Sequence, residues 1–176
     1  MLTSKNLKEL MVPISEYPHI HHGGTIREAF GILDKNYREG NLYRTVLVLD
    51  DENSLKGMLT MRDMIQAVVP GFLKTKSSSY KGLQPYQASE QDYSSLALIW
   101  GEDFDEQCRK EAGLKVEDVM TVIDKTVTVK ETIAKCAYLL VTHDVPVMPV
   151  TEENRVVGAV RLVDLFRKVV KIVIEG

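Results

Sequence analysis

The apolar positions of the chain change period in a way that returns. From Thr25 to Leu33 they fall at Ile26, Ala29, Phe30 and Leu33, the i, i+3, i+4, i+7 spacing of an amphipathic helix. Thr25 and Glu28 stand where a capping box would start that helix. The period then shortens. Val46 to Leu49 and Leu55 to Leu59 are β-rich runs separated by Asp50-Asp51-Glu52-Asn53, which reads as a hairpin. A second helix follows, with Met61, Met64, Ile65 and Val68 as its predicted buried stripe. The same succession appears again. Ile133, Cys136, Ala137 and Leu140 mark a helix, Val147 to Val150 and Val156 to Val160 flank Glu152-Glu153-Asn154, and Leu162, Leu165, Phe166 and Val169 form a closing stripe. A short leading strand is expected at His19 to His22 and at Thr126 to Val129.

The two copies align residue by residue. TVLVLDDENSLKGMLTMRDMIQAVV, Thr45 to Val69, lies over PVMPVTEENRVVGAVRLVDLFRKVV, Pro146 to Val170, with Glu52-Asn53, Gly57, Asp63 and Val68-Val69 matched by Glu153-Asn154, Gly158, Asp164 and Val169-Val170. Upstream, TIREAFGIL from Thr25 matches TIAKCAYLL from Thr132, with the extra length of the first copy placed in the loop from Tyr37 to Leu42. Each unit therefore reads strand, helix, strand, strand, helix. About 55 residues is marginal for an independent core, so two units stacked through their sheets, each covering the other, is the expected arrangement. The fold class is α+β: two β-α-β-β-α repeats related by a pseudo-twofold axis, with a partly helical insert. The boundaries are 5–70 for the first repeat, 71–113 for the insert and 114–173 for the second repeat.

Composition narrows the function classes. With 44% hydrophobic and 27% charged residues and a formal charge of −3, the chain is a folded one and lacks the basic footprint that nucleic-acid binding requires. No run of about eighteen apolar residues suggests a membrane span, and MLTSKNLKELMVP lacks the apolar centre of a signal peptide. A soluble, cytoplasmic protein is expected, without nucleic-acid or membrane partners. Cys108 and Cys136 match no metal-ligand spacing and read as reduced thiols, Cys136 as a small core hydrophobe.

Candidate chemistry concentrates at LKGMLTMRDMIQAV, Leu55 to Val68, where an apolar strand passes through Gly57 and turns into a helix at Thr60-Met61-Arg62-Asp63. A helix start offers free N–H groups and partial positive charge to an anion, and Gly57 permits close approach to the strand. The same Thr60 and Asp63 also fit a plain capping box. His19-Ile20-His21-His22 places two imidazoles on one strand face, but no carboxylate or cysteine at ligand spacing accompanies them, so a surface strand explains them and no metal is assigned. In the insert, Gly71 to Ala88 reads as loop, Ser94 to Trp100 is apolar, and Asp103 to Ala112 reads as a helix ended by Gly113. Tyr93, Leu96, Ile99 and Trp100 suit either a packing collar or a partner contact. No nucleophile triad, carboxylate pair or phosphate loop is present, and no enzymatic activity is expected.

The doubled order resembles a tandem pair of cystathionine-β-synthase (CBS) domains, a Bateman module. The residues carrying the likeness are VMTVIDKTVTVKETI (Val119 to Ile133), HDVPVMPVTEENRVVGAVRLVDL (His143 to Leu165) and, more weakly, LMVPISEYPHI with LKGMLTMRDM. The resemblance implies a regulatory binding module that senses adenosine-containing ligands, with AMP, ADP, ATP and S-adenosylmethionine as candidates and no further cofactor. It implies that Asp63 accepts from ribose hydroxyls, that Thr60 lies near the phosphate beside Gly57 and Arg62, and that the base lodges near Thr121, Ile123 and Val145. In the second copy Arg161 replaces the hydroxyl residue while Asp164 remains, so that site is either altered or empty. Homodimerisation, energy sensing and action on a separate effector protein complete the expectation. The alternative is a ligand-free module that dimerises and docks on a partner.

Overall fold

The computed structural model describes residues 7–69 and 102–175. After a single 3-10 turn at Leu7–Glu9, the first repeat runs β1 (Val12–Pro13), β2 (His19–His21), α1 (Ile26–Arg38), β3 (Thr45–Leu49), β4 (Leu55–Thr60) and α2 (Met61–Val68). Then come α3 (Glu102–Glu111), α4 (Val116–Val119), β5 (Val127–Thr128), α5 (Ile133–Thr142), β6 (Val147–Glu152), β7 (Arg155–Arg161) and α6 (Leu162–Glu175). In each half a parallel strand pair and an antiparallel hairpin make one small sheet: β2-β3-β4 in the first, β5-β6-β7 in the second.

The two sheets are joined by exchanged lead-in segments. β1 precedes the first repeat but pairs with β7 of the second, Val12 opposite Ala159 and Pro13 opposite Gly158. In return, Thr121, which leads into the second repeat, bridges Met58 on β4 through two backbone hydrogen bonds of 2.9 Å. Glycine is required where the strands cross. A Cβ on Gly57 would stand 2.5 Å from the Thr121 carbonyl oxygen, and one on Gly158 would stand 2.5 Å from both the Val12 oxygen and Met11 Cγ. The core is correspondingly shared: Leu47, Val48 and Met58 of the first sheet cluster with Val147, Val156 and Ala159 of the second.

The helices α1 and α5 follow their sequence pattern. Ile26, Ala29 and Leu33 are buried on α1, and Ile133, Cys136 and Leu140 on α5. Thr25 and Glu28 close the expected capping box, while Thr132 caps α5. The first two N–H groups of α1 are taken from outside the repeat, Ile26 N–H donating to the Leu114 oxygen at 3.0 Å and Arg27 N–H to the Ala112 oxygen at 2.8 Å. The end of the insert thus seals the helix start. α3 forms where Asp103 to Ala112 was expected but runs Glu102–Glu111, ending two residues before Gly113; Gly71 to Ala88, Tyr93 and Ser94 to Trp100 lie outside the described residues.

Three readings change. Tyr37 and Arg38 belong to α1, so part of the first copy's extra length is helix and not loop. The second correction is one of register. Val48 pairs with Gly57, whereas Val150, not Pro149, pairs with Gly158. β3 is therefore displaced by one residue from the alignment that holds for the helices after it, because the first hairpin turn is one residue longer than the second. The second closes through Glu153 and Asn154, both at positive φ, as a tight hairpin demands. In the first, Asp50 Oδ1 accepts from Glu52 N–H at 3.0 Å and Ser54 N–H at 2.8 Å, and these bonds, that from Ser54 foremost, hold its carboxyl below the usual range. The third concerns the closing stripes. Met64 and Val68 are buried on α2, but Met61 and Ile65 are exposed; on α6 only Leu165 is buried, with Leu162, Phe166 and Val169 exposed. Periodicity identified an apolar face, and no described residue of the chain covers it.

Gly57→Ala is expected to lower stability by about 1–3 kcal/mol through forced separation of crossing backbones. Gly31→Ala, on α1 where an added methyl group would meet nothing within 4 Å, should instead raise it by about 0.4–1 kcal/mol. Urea denaturation of both variants checks the pair; equal effects would contradict the close-approach argument.

Candidate functional site

The end of β4 and the start of α2 form the first candidate site. Thr60 ends the strand in an extended conformation and caps the helix, its Oγ1 accepting from Asp63 N–H at 3.2 Å. Asp63 Oδ2 in turn accepts from Thr60 N–H at 2.7 Å and from the Thr60 hydroxyl at 2.8 Å. The capping box is therefore real, and it consumes one carboxylate oxygen. Oδ1 accepts no hydrogen bond among the described residues. A carboxylate gripped at one oxygen is pre-oriented, with no rotamer freedom left to lose when the other oxygen takes a donor. Arg62 on the same turn is exposed and forms no ion pair among the described residues.

The other expected residues arrive by the exchanged segment. Thr121 is held against β4 by its bridge to Met58, beside Gly57. Gly57 serves that crossing: the space a side chain would take is filled by the Thr121 backbone, which corrects the reading that it stands open to a ligand. Ile123 continues the segment, half-buried against the shared core. Val145 lies just ahead of β6, buried in the core of the second repeat with its N–H donating to the Leu140 oxygen at 3.2 Å. Thr121 of the second half thus lies against the strand that leads into Thr60, while Val145 is placed in the second repeat's own core.

The equivalent step of the second repeat is built differently. Arg161 Nε donates to Asp164 Oδ2 at 2.5 Å and Nη2 to Oδ1 at 2.7 Å, a bidentate pair that uses both oxygens. Arg167 Nη1 stands 3.7 Å from Oδ1 as well. The paired carboxylate raises the guanidinium's affinity for its proton beyond the ordinary value. Its Cζ also lies 5.1 Å from the centroid of the Tyr43 ring, within cation–π range. Tyr17 meets Tyr43 edge-on, with centroids 5.1 Å apart and planes at 72°. Burial pushes the Tyr17 hydroxyl well above its usual range, against the opposing pull of Arg161.

Tyr17 and Tyr43 were not singled out by the sequence. The corrected register supplies the signal: Met61 N–H bonds the Arg44 oxygen and Leu162 N–H the Pro146 oxygen, so Tyr43, and not Arg44, is the counterpart of Val145. Each of the three N-terminal histidines is engaged locally, His19 Nδ1 with the Tyr17 oxygen at 2.8 Å, His21 Nε2 with Asp51 at 3.1 Å and His22 Nδ1 with Glu117 at 3.2 Å. Among the described residues no three His, Cys, Asp or Glu side chains converge as a metal site. Burial pushes the Cys136 thiol up to about 12, in keeping with a packing role. No helix among the described residues is long and apolar enough to cross a membrane.

Comparison with solved structures finds the same architecture. A CBS domain-containing protein of unknown function from Kribbella flavida superposes with a TM-score of 0.70 at 18% identity, over 95% of this chain and 99% of that one. CBSX2 in complex with AMP gives 0.63 at 16%, over 96% and 98%. The cytosolic domain of the Mg2+ channel MgtE in complex with ATP gives 0.60 at 21%, over 93% of this chain and 48% of that one, so the chain spans about half the length of that domain. Comparison with curated protein sequences finds no match. At these identities the likeness speaks for the fold. The CBS domain family model, however, matches residues 7–70 and 116–171. Two matches, falling on the two halves that exchange lead-in strands, mean that the chain belongs to the CBS domain family and carries the domain as a tandem pair.

Proposed function

We propose that the chain is a non-enzymatic regulatory module that takes one adenosine-containing ligand, AMP, ADP, ATP or S-adenosylmethionine, at the β4–α2 step. The carrying observation is Asp63: oriented by Thr60 through one oxygen and open at the other, at a helix start that favours negative charge. In this reading Asp63 Oδ1 receives the ribose hydroxyls, Thr60 and Arg62 face the phosphate, and the base rests along Thr121 and Ile123, with the main chain at Val145 behind it. The relatives solved with AMP and ATP support the ligand class. Thr121, which leads into the second repeat, is paired with β4 just before Thr60, so a ligand at this step would touch both repeats and change the free energy of their mutual arrangement. It signals only to the extent that it favours one arrangement over another, and a separate effector protein would read the result.

Calorimetric titration with the four ligands tests this. A hydrogen bond to a charged group is worth about 1.5–3 kcal/mol, so Asp63→Ala should weaken the bound ligand about ten- to hundredfold. The same variant loses the capping box, at about 1 kcal/mol of stability, a loss that urea denaturation of the ligand-free chain reads apart from the titration. If none of the four binds below millimolar, the sensing reading fails.

The alternative reading, a module that works by self-association, has its own supporting observation and is compatible with the first. α6 exposes an apolar stripe, Leu162, Phe166, Val169 and Val173, with Phe166 at 64% and Val173 at 73% exposure. Stripes of this extent mark interaction sites more often than bare surface, and a stable interface needs roughly 800 Å² per partner, which a helix of fourteen residues together with the exposed Met61 and Ile65 of α2 is able to supply. We infer a homodimer through α6. Sedimentation equilibrium should show a dimer that Phe166→Glu with Val173→Glu converts to monomer; a wild-type chain that stays monomeric throughout overturns it.

A further inference from the structure

We propose that Arg161 is the built-in occupant of the second cleft: it takes the position that a ligand takes in the first, ties the two repeats together through Tyr43, and limits the chain to one nucleotide. The last clause rests on the nucleotide reading above; the tie between repeats does not.

The two steps begin from the same strand-to-helix geometry and diverge at two positions. Where the first has Thr60, whose hydroxyl leaves Asp63 Oδ1 open, the second has Arg161, whose guanidinium engages both oxygens of Asp164. Where the first has Val145, the second has Tyr43, a larger ring lying under that same guanidinium. Tyr17 then closes the stack from the edge and is itself only 2% exposed. The Arg161 and Asp164 side chains are 21% and 14% exposed, so the pair is largely withdrawn from water yet internally neutralised, the condition under which a half-buried charge pair is tolerated. An incoming ribose would find no free oxygen on Asp164. An incoming base would have to displace two packed aromatic rings. Neither a phosphate nor a sugar compensates for stripping Arg161 of its carboxylate, because each would leave the half-buried Asp164 with only the longer contact to Arg167, 3.7 Å from Oδ1.

The same contacts cross the repeat boundary. Arg161 and Asp164 belong to the second repeat, Tyr17 and Tyr43 to the first. The stack therefore acts as a latch on the side of the molecule opposite in pseudo-symmetry to the ligand step, present without any ligand.

One set of variants tests both parts. Arg161→Thr, Tyr43→Val and their combination transplant the first cleft's residues into the second. In ligand-free urea denaturation the double variant should lose clearly less than the sum of the single losses, since both singles break one interaction; additive losses overturn the latch. In titration with AMP and ATP the wild-type chain should bind one nucleotide and the double variant two, the second surviving Asp63→Ala. A wild-type chain that binds two, or a double variant that still binds one, overturns the occupancy. Should the double variant fail to fold, Arg161→Gln, which removes the cation while keeping a polar stem, is expected to open the second step, and unchanged stoichiometry there counts against it. If the wild-type chain binds no nucleotide, the sensing reading fails by itself, and the denaturation result still decides the latch.

Discussion

Everything in this molecule depends on two places where backbone touches backbone. At Gly57 and at Gly158 the last strand of one repeat runs so close to the lead-in segment of the other that a single methyl group would collide with a carbonyl oxygen. The contact is not an ornament on two finished domains. Each half on its own has a three-stranded sheet whose outer strand, β4 or β7, ends in an unpaired edge, and only the other half's segment satisfies it. A unit of this size buries too little surface to stand alone. Exchange of lead-in strands and the clustering of Leu47, Val48 and Met58 with Val147, Val156 and Ala159 let the second sheet complete the first repeat's core, while Leu7, from ahead of β1, joins the second repeat's core. It follows that any groove beside the crossing strands has walls from both halves, which is why a binding step here reports on their relation.

A symmetric scaffold need not carry symmetric chemistry. Both repeats deliver a carboxylate to the first turn of their last helix, and what decides its availability is the residue three positions earlier. Thr60 is short: it caps, donates its N–H and hydroxyl to the same carboxylate oxygen and leaves the other over. Arg161 is long, planar and charged, and its fork matches the carboxylate so well that nothing is left. The difference is amplified by the aromatic residue the first repeat contributes, since Tyr43 gives the guanidinium a second face to rest on, whereas its counterpart in register, Val145, carries no ring. One substitution of chemistry in each repeat, and not a rearrangement of backbone, separates an open step from a filled one.

Much of this could be read from the sequence, and the failures share a cause. The amphipathic helices α1 and α5 are set by local spacing and caps, and they appear where Thr25 and Thr132 place them. The duplication itself was plain from Gly57 and Gly158 with Asp63 and Asp164. What local pattern could not supply was the identity of the covering surface. Met61, Ile65 and Phe166 have the spacing of buried residues and are exposed, because none of the described residues packs over them. Gly57 and Gly158 signalled a close approach, and the approaching group was another stretch of backbone. The single residue added to the first hairpin turn shifted β3 by one position, so Tyr43 escaped notice although the comparable place in the second copy, Val145, had been singled out. A strand register is fixed by hydrogen bonds between segments, and an ungapped alignment of helices cannot see it.

The unequal clefts bear on how such a module could respond at all. If both steps were open, each ligand would face two repeats held together only by crossing strands and core, and the two bound states would be nearly equivalent by symmetry. With Arg161 locked onto Asp164 and Tyr43, one side of the pseudo-twofold is fixed in advance, and a ligand at Asp63 acts against a fixed counterpart. On the proposed reading, rotation of one repeat against the other would pivot about the latched side and leave the ligand side as the free coordinate. Energy from the ligand's differential contacts with the two arrangements is not divided between two flexible grooves but delivered at one. On the same reading α6, which begins directly after Arg161 and exposes Phe166 on its second turn, is the exposed element nearest to that pivot.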